Sequence, residues 1–385
     1  MKVRALLTGI AILSVLILGT SLVAAQDMSE VPGSGLVNGP MAGEAQSLTG
    51  AGATFPLPLY TAWFADYATL TGVQVNYQGI GSGGGIRSIT DQTVNFGASD
   101  GPMTEDQLAA ARETCGADIL HIPTALGGVV PIYNVPEVQD AGEPLKFTPD
   151  TLSKIFLGEI TNWNDETLVA DNPELADVDQ PIAVVHRADG SGTTNIWTSY
   201  LSAVSETWAS EVGAGTSVDW PTGIGQRGNA GIAGAVAGVP YSIGYVELAY
   251  AEQNDLPVSQ VQNSAGTFVQ ANTDSVSLAA AGVELPDDLR IMIVNGSGDD
   301  TYPIAGFTWL LVCPNQTDPA IATALTRVIW WGIHDGQSYH SELGYAPLPE
   351  AAVLAGEQQL LKVMVNGAPA LPSDLVEYAN SDHGM

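Results

Sequence analysis

Residues 186–195 join a strand pattern to a helix pattern through a short loop that contains two glycines. Residues 182–185, before the loop, form an apolar run rich in β-branched side chains, and apolar residues recur at helical spacing over residues 196–208. The stretch therefore predicts a strand, a tight loop and a helix. Residues 73–89 repeat that order, and strand and helix patterns alternate along the chain, which predicts an α/β fold.

This loop has the donors that an anion needs. A helix start leaves N–H groups unpaired and carries the positive end of the helix dipole. Ser191, Thr193 and Thr194 add hydroxyl groups. Arg187 adds a planar, permanently charged group that can contact two oxygen atoms at once. An anion site is one interpretation, and a capped helix beside a surface pair of Arg187 and Asp189 is the other.

A second glycine-rich loop follows the strand pattern at residues 73–77. Gly79, Gly81 and Gly84 satisfy the G-x-G-x-x-G pattern of dinucleotide sites, and Asp100 follows about 20 residues further on. This pattern alone is weak evidence, and an exported chain is separated from the cytosolic nicotinamide pool. A dinucleotide site is therefore the less favoured alternative, and we expect no cofactor.

Three further residues stand where ligands are commonly bound. Thr54 and Phe55 precede a helix pattern whose aromatic residues recur at helical spacing over residues 60–67. Asp100 ends a strand pattern at residues 94–99, and open α/β sheets bind ligands at the carboxyl ends of their strands. Helix capping would also explain Thr54, and a plain turn would also explain Asp100.

The first 25 residues have the pattern of a signal peptide. Lys2 and Arg4 precede an apolar run, and small residues end at Ala25, the expected cleavage site. An uncleaved N-terminal anchor is the alternative. Residues 26–47 are rich in Gly, Ser and Pro and lack periodicity, which predicts a flexible tether. No later apolar run approaches about 20 residues, so we expect an exported, soluble protein, in the periplasm or at the outer face of the cytoplasmic membrane.

The formal charge of −31 argues against binding of nucleic acid or of an acidic membrane through a broad basic surface. An anion must instead be held by local hydrogen bonds inside a cleft, against an unfavourable mean field that salt screens. Without Lys2 and Arg4 the chain keeps nine of its 11 basic residues, and Arg187 is one of them. Arg227, in a glycine-rich loop, is either a second cationic contact or a structural residue of that loop.

Cys115 and Cys313 are the two cysteines of the chain. In an oxidising compartment such a pair forms a disulfide or stays as two buried thiols, and the sequence leaves both open. Two cysteines alone make no zinc site, and the five histidines lack H-E-x-x-H spacing. We therefore expect no metal site.

Four stretches of the sequence, taken together and in order, indicate a known family. They read AGATFPLPLY, NYQGIGSGGGI, VNFGASDGP and VVHRADGSGTTNIWTSYL. Together they resemble the PstS-type phosphate-binding proteins of bacterial ABC importers, and the similarity covers nearly all of residues 48–370. Each piece is unspecific by itself, whereas the combination is specific.

The resemblance implies a periplasmic-binding-protein fold of type II, an α/β fold with two lobes and a ligand cleft between them. The first lobe would comprise residues 48–125 and 282–385 and the second residues 126–281, with the hinge near residues 125 and 282. Such a protein binds inorganic phosphate outside the cytoplasm and delivers it to the transmembrane permease of an ABC importer. We therefore expect a monomeric binding protein that is not an enzyme and binds no nucleic acid.

The resemblance also implies which residues hold the phosphate. The implied ligands are Thr54, Phe55, Ser82 and Asp100 from the first lobe, and Arg187, Ser191, Gly192 and Thr193 from the second. Asp189 would pair with Arg187 and orient its guanidinium group. The family often has a second basic residue beside this arginine, where the present chain has His186.

Asp100 would select the ligand. A carboxylate can face an anion only if the ligand brings a proton to donate, as phosphate does near neutral pH and fully ionised sulfate does not. A site built on an obligatory hydrogen bond can reject an analogue that lacks it by ~10⁴–10⁵-fold. Arsenate carries a similar proton, so this argument does not separate it from phosphate.

The sequence also leaves two alternatives to phosphate binding. One is a binding protein for another oxyanion, such as sulfate, molybdate or a phosphonate, and Asp100 argues against the first two. The other is an exported hydrolase that uses Ser82 or Ser191 as its nucleophile. Ile80 and Asp189 stand two residues before these serines, so the G-x-S-x-G elbow is absent.

Overall fold

The computed structural model describes residues 31–139 and 143–381. The predicted signal peptide at residues 1–25, and residues 26–30 of the predicted tether, lie outside the described residues. Within the described part, no helix is both long and apolar enough to pass through a lipid bilayer.

Strands and helices alternate as the sequence predicts. The strands are β1 (Ser47–Gly52), β2 (Gln74–Gly79), β3 (Phe96–Ser99), β4 (Leu120–Asn134), β5 (Lys146–Phe147), β6 (Ala183–Arg187), β7 (Ile224–Gln226), β8 (Ser242–Glu247), β9 (Gln260–Gln262), β10 (Phe268–Val269), β11 (Ala305–Val312), β12 (Asn315–Gln316), β13 (Met364–Val365) and β14 (Ala368–Pro369). The helices are α1 (Leu57–Thr71), α2 (Ser82–Thr90), α3 (Glu105–Cys115), α4 (Pro136–Gln139), α5 (Pro149–Leu157), α6 (Glu166–Asp171), α7 (Gly192–Val204), α8 (Glu206–Glu211), α9 (Gly228–Gly238), α10 (Leu248–Gln253), α11 (Thr273–Ala280), α12 (Pro319–Ile333), α13 (Glu350–Leu360) and α14 (Ser373–Ala379).

One sheet runs through the middle of the molecule in the strand order β2-β1-β3-β11-β4-β8-β6-β7. Strands β1, β2 and β3 are parallel, as are β6, β7 and β8. Strands β11 and β4 are antiparallel to each other and to their other neighbours, and they join the two parallel groups. The sheet thus has two parallel halves, and helices such as α2 and α9 follow their strands as in βαβ units.

Strand β4 belongs to both halves. Its residues 120–128 pair with β11, and its residues 129–134 pair with β8. The predicted first crossing near residue 125 therefore lies within a single continuous strand, which changes partner between Gly128 and Val129. The lobe boundaries and the second crossing near residue 282 stay predictions.

The tether predicted over residues 26–47 stays a prediction, and several of its described residues, from Gly33 to Ala45, contact α12. Arg327 of that helix forms a buried ion pair with Glu44. Its Nη2 also donates to the carbonyl oxygen of Gly39 at 2.7 Å. Glycine and proline in this stretch allow a segment without regular structure to follow the surface of a helix.

Cys115 and Cys313 form a disulfide, with their Cα atoms 5.3 Å apart. Cys115 ends α3 and Cys313 directly follows β11. Both residues are buried. The bond ties the end of a helix to the end of a central strand and closes a loop with a sequence separation of 198.

Candidate functional site

Loops that follow β1, β2 and β6 meet at the carboxyl ends of these parallel strands. The N–H of Gly83 donates to the carbonyl oxygen of Gly190 at 2.9 Å. The N–H of Gly192 donates to Oγ of Ser82 at 3.0 Å. The two halves of the sheet therefore touch through the starts of α2 and α7, and the predicted site residues lie around this contact.

Asp100 is fully buried at the end of β3. Its Oδ1 accepts a hydrogen bond from Oγ1 of Thr308 at 2.8 Å, and its Oδ2 accepts one from Oγ of Ser82 at 3.4 Å. Burial raises the pKa of Asp100 to about 7, although the hydrogen bond from Thr308 and the charge of Arg187 oppose this shift. The carboxyl group is thus held in place by its neighbours and poised to carry or release a proton near neutral pH.

Arg187 is buried and forms a two-pronged ion pair with Asp189. Its Nε donates to Oδ1 at 2.8 Å and its Nη2 donates to Oδ2 at 2.6 Å. Burial acts to raise the pKa of Asp189, but the hydrogen bonds and charge of Arg187 outweigh it and hold the pKa below its usual value. No described residue accepts a hydrogen bond from Nη1. The pair fixes the guanidinium plane and leaves one nitrogen available to a ligand.

Three buried hydroxyl groups accept hydrogen bonds from the protein and keep their own hydrogens to donate. Oγ of Ser191 accepts from the N–H of Thr194 at 3.0 Å and so caps α7. Oγ1 of Thr54 and Oγ1 of Thr193 each accept from Nδ2 of Asn229 at 3.2 Å. A hydroxyl group whose oxygen already accepts is oriented to act as a donor, which suits an anion.

Three backbone N–H groups at the starts of α1 and α2 have no acceptor among the described residues. They belong to Thr54, Phe55 and Ser82, all buried. The N–H of Thr193, at the start of α7, donates to the carboxylate of Asp100. Buried N–H groups without a partner are rare in proteins because each one costs about 1–3 kcal/mol. A cluster of three, together with Nη1 of Arg187 from the other half of the sheet, indicates that an external acceptor completes the site.

Gly192 is required by the close approach of the two halves. A Cβ atom at this position would lie 2.5 Å from Cβ of Asp100 and 2.5 Å from Oγ of Ser82. Gly81 has a φ of +85°, and a Cβ atom there would lie 2.5 Å from Oδ2 of Asp189. The glycines therefore let the two loops meet.

Several residues that shape the site were not predicted from the sequence. Thr308 orients Asp100, and Asn229 orients Thr54 and Thr193. The hydroxyl group of Tyr250 donates to the carbonyl oxygen of Thr54 at 2.5 Å. The third strand–loop–helix unit, β7 to α9, carries Asn229 and was the signal available in the sequence.

His186, next to Arg187 in the chain, lies outside the donor cluster. His186 stacks on Trp220 with a ring distance of 4.7 Å and takes no part in the donor cluster. Burial lowers its pKa, so it is neutral near pH 7. Ser82 and Ser191 hydrogen-bond to no histidine in the described residues. In the same residues no group of three or more His, Cys, Asp or Glu side chains could hold a metal ion.

The fold and the donor-lined cleft are those of a solute-binding protein, and residues 39–333 match the model of the PBP superfamily domain. The PstS phosphate-binding protein of Pasteurella multocida is 43% identical over 312 residues, which cover 80% of this chain and 88% of that protein. That of Methanocaldococcus jannaschii is 38% identical over 327 residues, covering 79% of this chain and 83% of the relative. The chain belongs to the PstS family of phosphate-binding proteins.

Solved structures agree on the fold. A crystal structure of a phosphate-binding protein from Stenotrophomonas maltophilia superposes with a TM-score of 0.64 at 19% identity, covering 84% of this chain and 96% of that chain. Together with the domain match, this likeness confirms the two-lobed α/β fold predicted from the sequence.

Proposed function

We propose that this protein binds inorganic phosphate, as its singly or doubly charged anion, and delivers it to the transmembrane permease of an ABC importer. The observation that carries the proposal is the cluster of three buried N–H groups without an acceptor, next to the buried carboxyl group of Asp100. The names of the relatives, which are 38–43% identical, support the same ligand. The proposed ligands are Thr54, Phe55, Ser82, Asp100, Arg187, Ser191, Gly192 and Thr193.

The donors and the one acceptor match a protonated tetrahedral oxyanion. N–H groups, hydroxyl groups and Nη1 of Arg187 donate to the oxygen atoms that carry charge, and charge-assisted hydrogen bonds of this kind are about twice as strong as neutral ones. Asp100, when ionised, accepts the hydrogen of the phosphate hydroxyl group. Sulfate has no such hydrogen near neutral pH, so it would place an oxygen against the carboxylate in a dry site.

Binding would close the cleft between the lobes. In the proposed mechanism, phosphate bridges donors from the start of α1 and α2 in one lobe and from the start of α7 in the other. The hydrogen bonds from Gly83 to Gly190 and from Asn229 to Thr54 then hold the closed form. The permease would recognise the closed form and release the ligand on opening it.

We propose that the chain is exported to the periplasm or to the outer face of the cytoplasmic membrane, where it acts as a monomer. We expect no catalytic turnover, because neither serine of the site is paired with a base in the described residues. The hydrolase alternative predicts release of the chromophore from a chromogenic phosphate ester, which is a direct assay.

Calorimetric titration of the mature chain tests the ligand. The protein is first unfolded, dialysed and refolded to remove bound anions, and is then titrated with phosphate, sulfate, molybdate and a phosphonate. We expect tight binding of phosphate and no heat from sulfate at pH 8. If phosphate gives no heat of binding, or if another anion binds more tightly, the proposal is overturned.

A further inference from the structure

A pocket of 360 Å³ lies at the edge of the cleft, outside the donor cluster. Its lining includes Arg87, Arg227, Asp189 and Gly190. Arg87 is on α2, five residues after Ser82, and Arg227 directly precedes α9. The pocket is thus formed by elements that carry the inner site in each half of the molecule.

Arg87 and Arg227 differ from the other basic residues of the described chain. Five of those residues are held in ion pairs, namely Arg112, Lys154, Arg187, Arg290 and Arg327. Lys146 lies over the ring of Phe268, and Lys362 donates to Gln359. Arg87 and Arg227 are exposed, and neither side chain forms an ion pair or a hydrogen bond with any described residue.

The pocket therefore has positive charge that no lining residue neutralises. Its one carboxylate, that of Asp189, already accepts from Arg187 with both oxygens. Acidic residues outnumber basic ones by 42 to 11 in the whole chain, so two unpaired arginines in one pocket are unexpected. At physiological ionic strength charges act over about 8 Å. An anion close to the pocket is consequently attracted by these two arginines more strongly than it is repelled by the negative charge of the whole molecule.

The pocket is also placed on the way to the inner site. Asp189 and Gly190 line it, and in the chain they lie between Arg187 and Ser191 of the donor cluster. The hydrogen bond between Gly83 and Gly190 closes the loops against each other at this point. Separation of the two loops would join the pocket to the cleft.

We infer that this pocket is a capture subsite for small oxyanions, in which Arg87 and Arg227 hold phosphate weakly before it reaches the donors around Arg187. The inference rests on the proposed function, since it concerns how the same ligand arrives. The subsite raises the association rate constant kon, because it concentrates the anion at the entrance of a negatively charged protein. It leaves the dissociation rate constant koff unchanged, because neither arginine belongs to the inner donor cluster.

The test compares the double variant R87Q/R227Q with wild type and with the control R112Q/K154Q. The control removes the same two charges from exposed ion pairs outside the pocket. Equilibrium dialysis with radiolabelled phosphate gives Kd, and a chase with excess unlabelled phosphate gives koff. Their ratio gives kon for each protein at several salt concentrations.

We expect kon of R87Q/R227Q to fall by about tenfold at low ionic strength, at the lower end of the range for electrostatic steering, with koff unchanged. The kon of the control should fall far less, and the difference in kon between the two variants should vanish near 1 M salt, where the screening length is about 3 Å. A kon equal to that of the control, or a loss of affinity through koff, would overturn the capture subsite alone. Absence of phosphate binding by wild type would instead overturn the proposed function, and the subsite with it.

Discussion

Asp100 decides how the site distinguishes one oxyanion from another. Its carboxyl group is fixed by Thr308 and Ser82 and is buried, so water cannot supply a missing hydrogen-bond partner. Burial raises its pKa to about 7. The ionised form accepts a hydrogen from the ligand, whereas the protonated form donates one to it, and these two forms select different anions.

Sulfate binding should therefore depend on pH in a defined direction. Below the pKa of Asp100 the protonated carboxyl group becomes a donor, so sulfate affinity should rise as the pH falls. Above the pKa, each sulfate ion that binds must bring one proton onto Asp100, so its Kd should increase about tenfold per pH unit. Titration of the stripped wild type with sulfate between pH 5 and pH 9 measures this slope.

The matched variant for this prediction is Asp100→Asn. Its amide group donates at every pH, so it should bind sulfate with an affinity that does not change between pH 5 and pH 9, and should bind phosphate more weakly than wild type does. Asp299→Asn, at an exposed position outside the site, is the control for loss of one charge. A wild-type sulfate affinity that is independent of pH would exclude Asp100 as the selective group.

At the scale of single residues, the sequence identified the groups that local motifs place. Glycine loops and helix starts indicate donors from the chain alone, as for Ser191, whose side chain caps α7. The sequence did not predict Asn229 or Thr308, because their roles depend on contacts with residues 175 and 208 positions away. No local pattern encodes such contacts.

At the scale of the elements, the start of α7 lies directly against the other half of the sheet. A Cβ atom at residue 192 would meet Asp100 and Ser82 at 2.5 Å, and both lie in the other half of the sheet. We therefore expect Gly192→Ala to fold as wild type does and to bind phosphate at least about 100-fold more weakly, since misplacement by about 1 Å of a positioned group costs that much. Thermal unfolding without ligand and calorimetry with phosphate measure the two effects.

Gly234→Ala is the control for this substitution. Gly234 lies within α9, and a Cβ atom there would have no neighbour within 4 Å. Because alanine favours a helix more than glycine does, this variant should be slightly more stable and should bind phosphate as wild type does. Equal affinities for the two variants would show that close approach at Gly192 is not needed for binding.

The sequence predicted the type of most elements better than their ends. Helical spacing over residues 196–208 predicted one helix, whereas the structure has α7 and α8. The break falls at Ser205, which is extended and whose side chain caps α8 by accepting from the N–H of Trp208. Apolar periodicity continues across the break because both helices bury the same face, so periodicity alone could not reveal it.

At the scale of the whole molecule, the disulfide closes a loop that contains residues 126–281, which the sequence predicts to form the second lobe. We expect C115S/C313S to lower the free energy of unfolding by about 2–4 kcal/mol, because the bond restricts the unfolded chain. Phosphate affinity should not change, since Cys313 lies towards the opposite end of β3 from Asp100. Urea denaturation of both proteins, with and without a reducing agent, measures the loss.

The reducing agent supplies the control for that experiment. Wild type should lose stability to the level of C115S/C313S when it is reduced, and the double variant should not respond. An unchanged unfolding midpoint in reduced wild type would mean that the bond contributes nothing to stability. The sequence left this pairing open because two cysteines 198 positions apart carry no local signal of proximity.

The fold as a whole followed from the alternation of strands and helices and from the family resemblance, whereas the position of the N-terminal segment did not. Residues 31–46 lack periodicity, and their attachment to α12 depends on Arg327 reaching Glu44 and Gly39. Composition describes how a segment could behave alone. It does not show whether another part of the chain offers it a partner.

We expect the two lobes of the whole molecule to close on the ligand. Without an anion, the three unpaired N–H groups of the site would remain buried without acceptors if the cleft stayed closed, a cost that separation of the lobes relieves by admitting water. We therefore expect the radius of gyration of the stripped protein, measured by small-angle X-ray scattering, to decrease when phosphate is added. Sulfate at pH 8 should cause no decrease in wild type, and phosphate should cause none in Gly192→Ala. Identical scattering profiles for stripped and phosphate-saturated wild type would mean that the ligand enters a cleft that does not open, and the proposed signal to the permease would have to lie elsewhere.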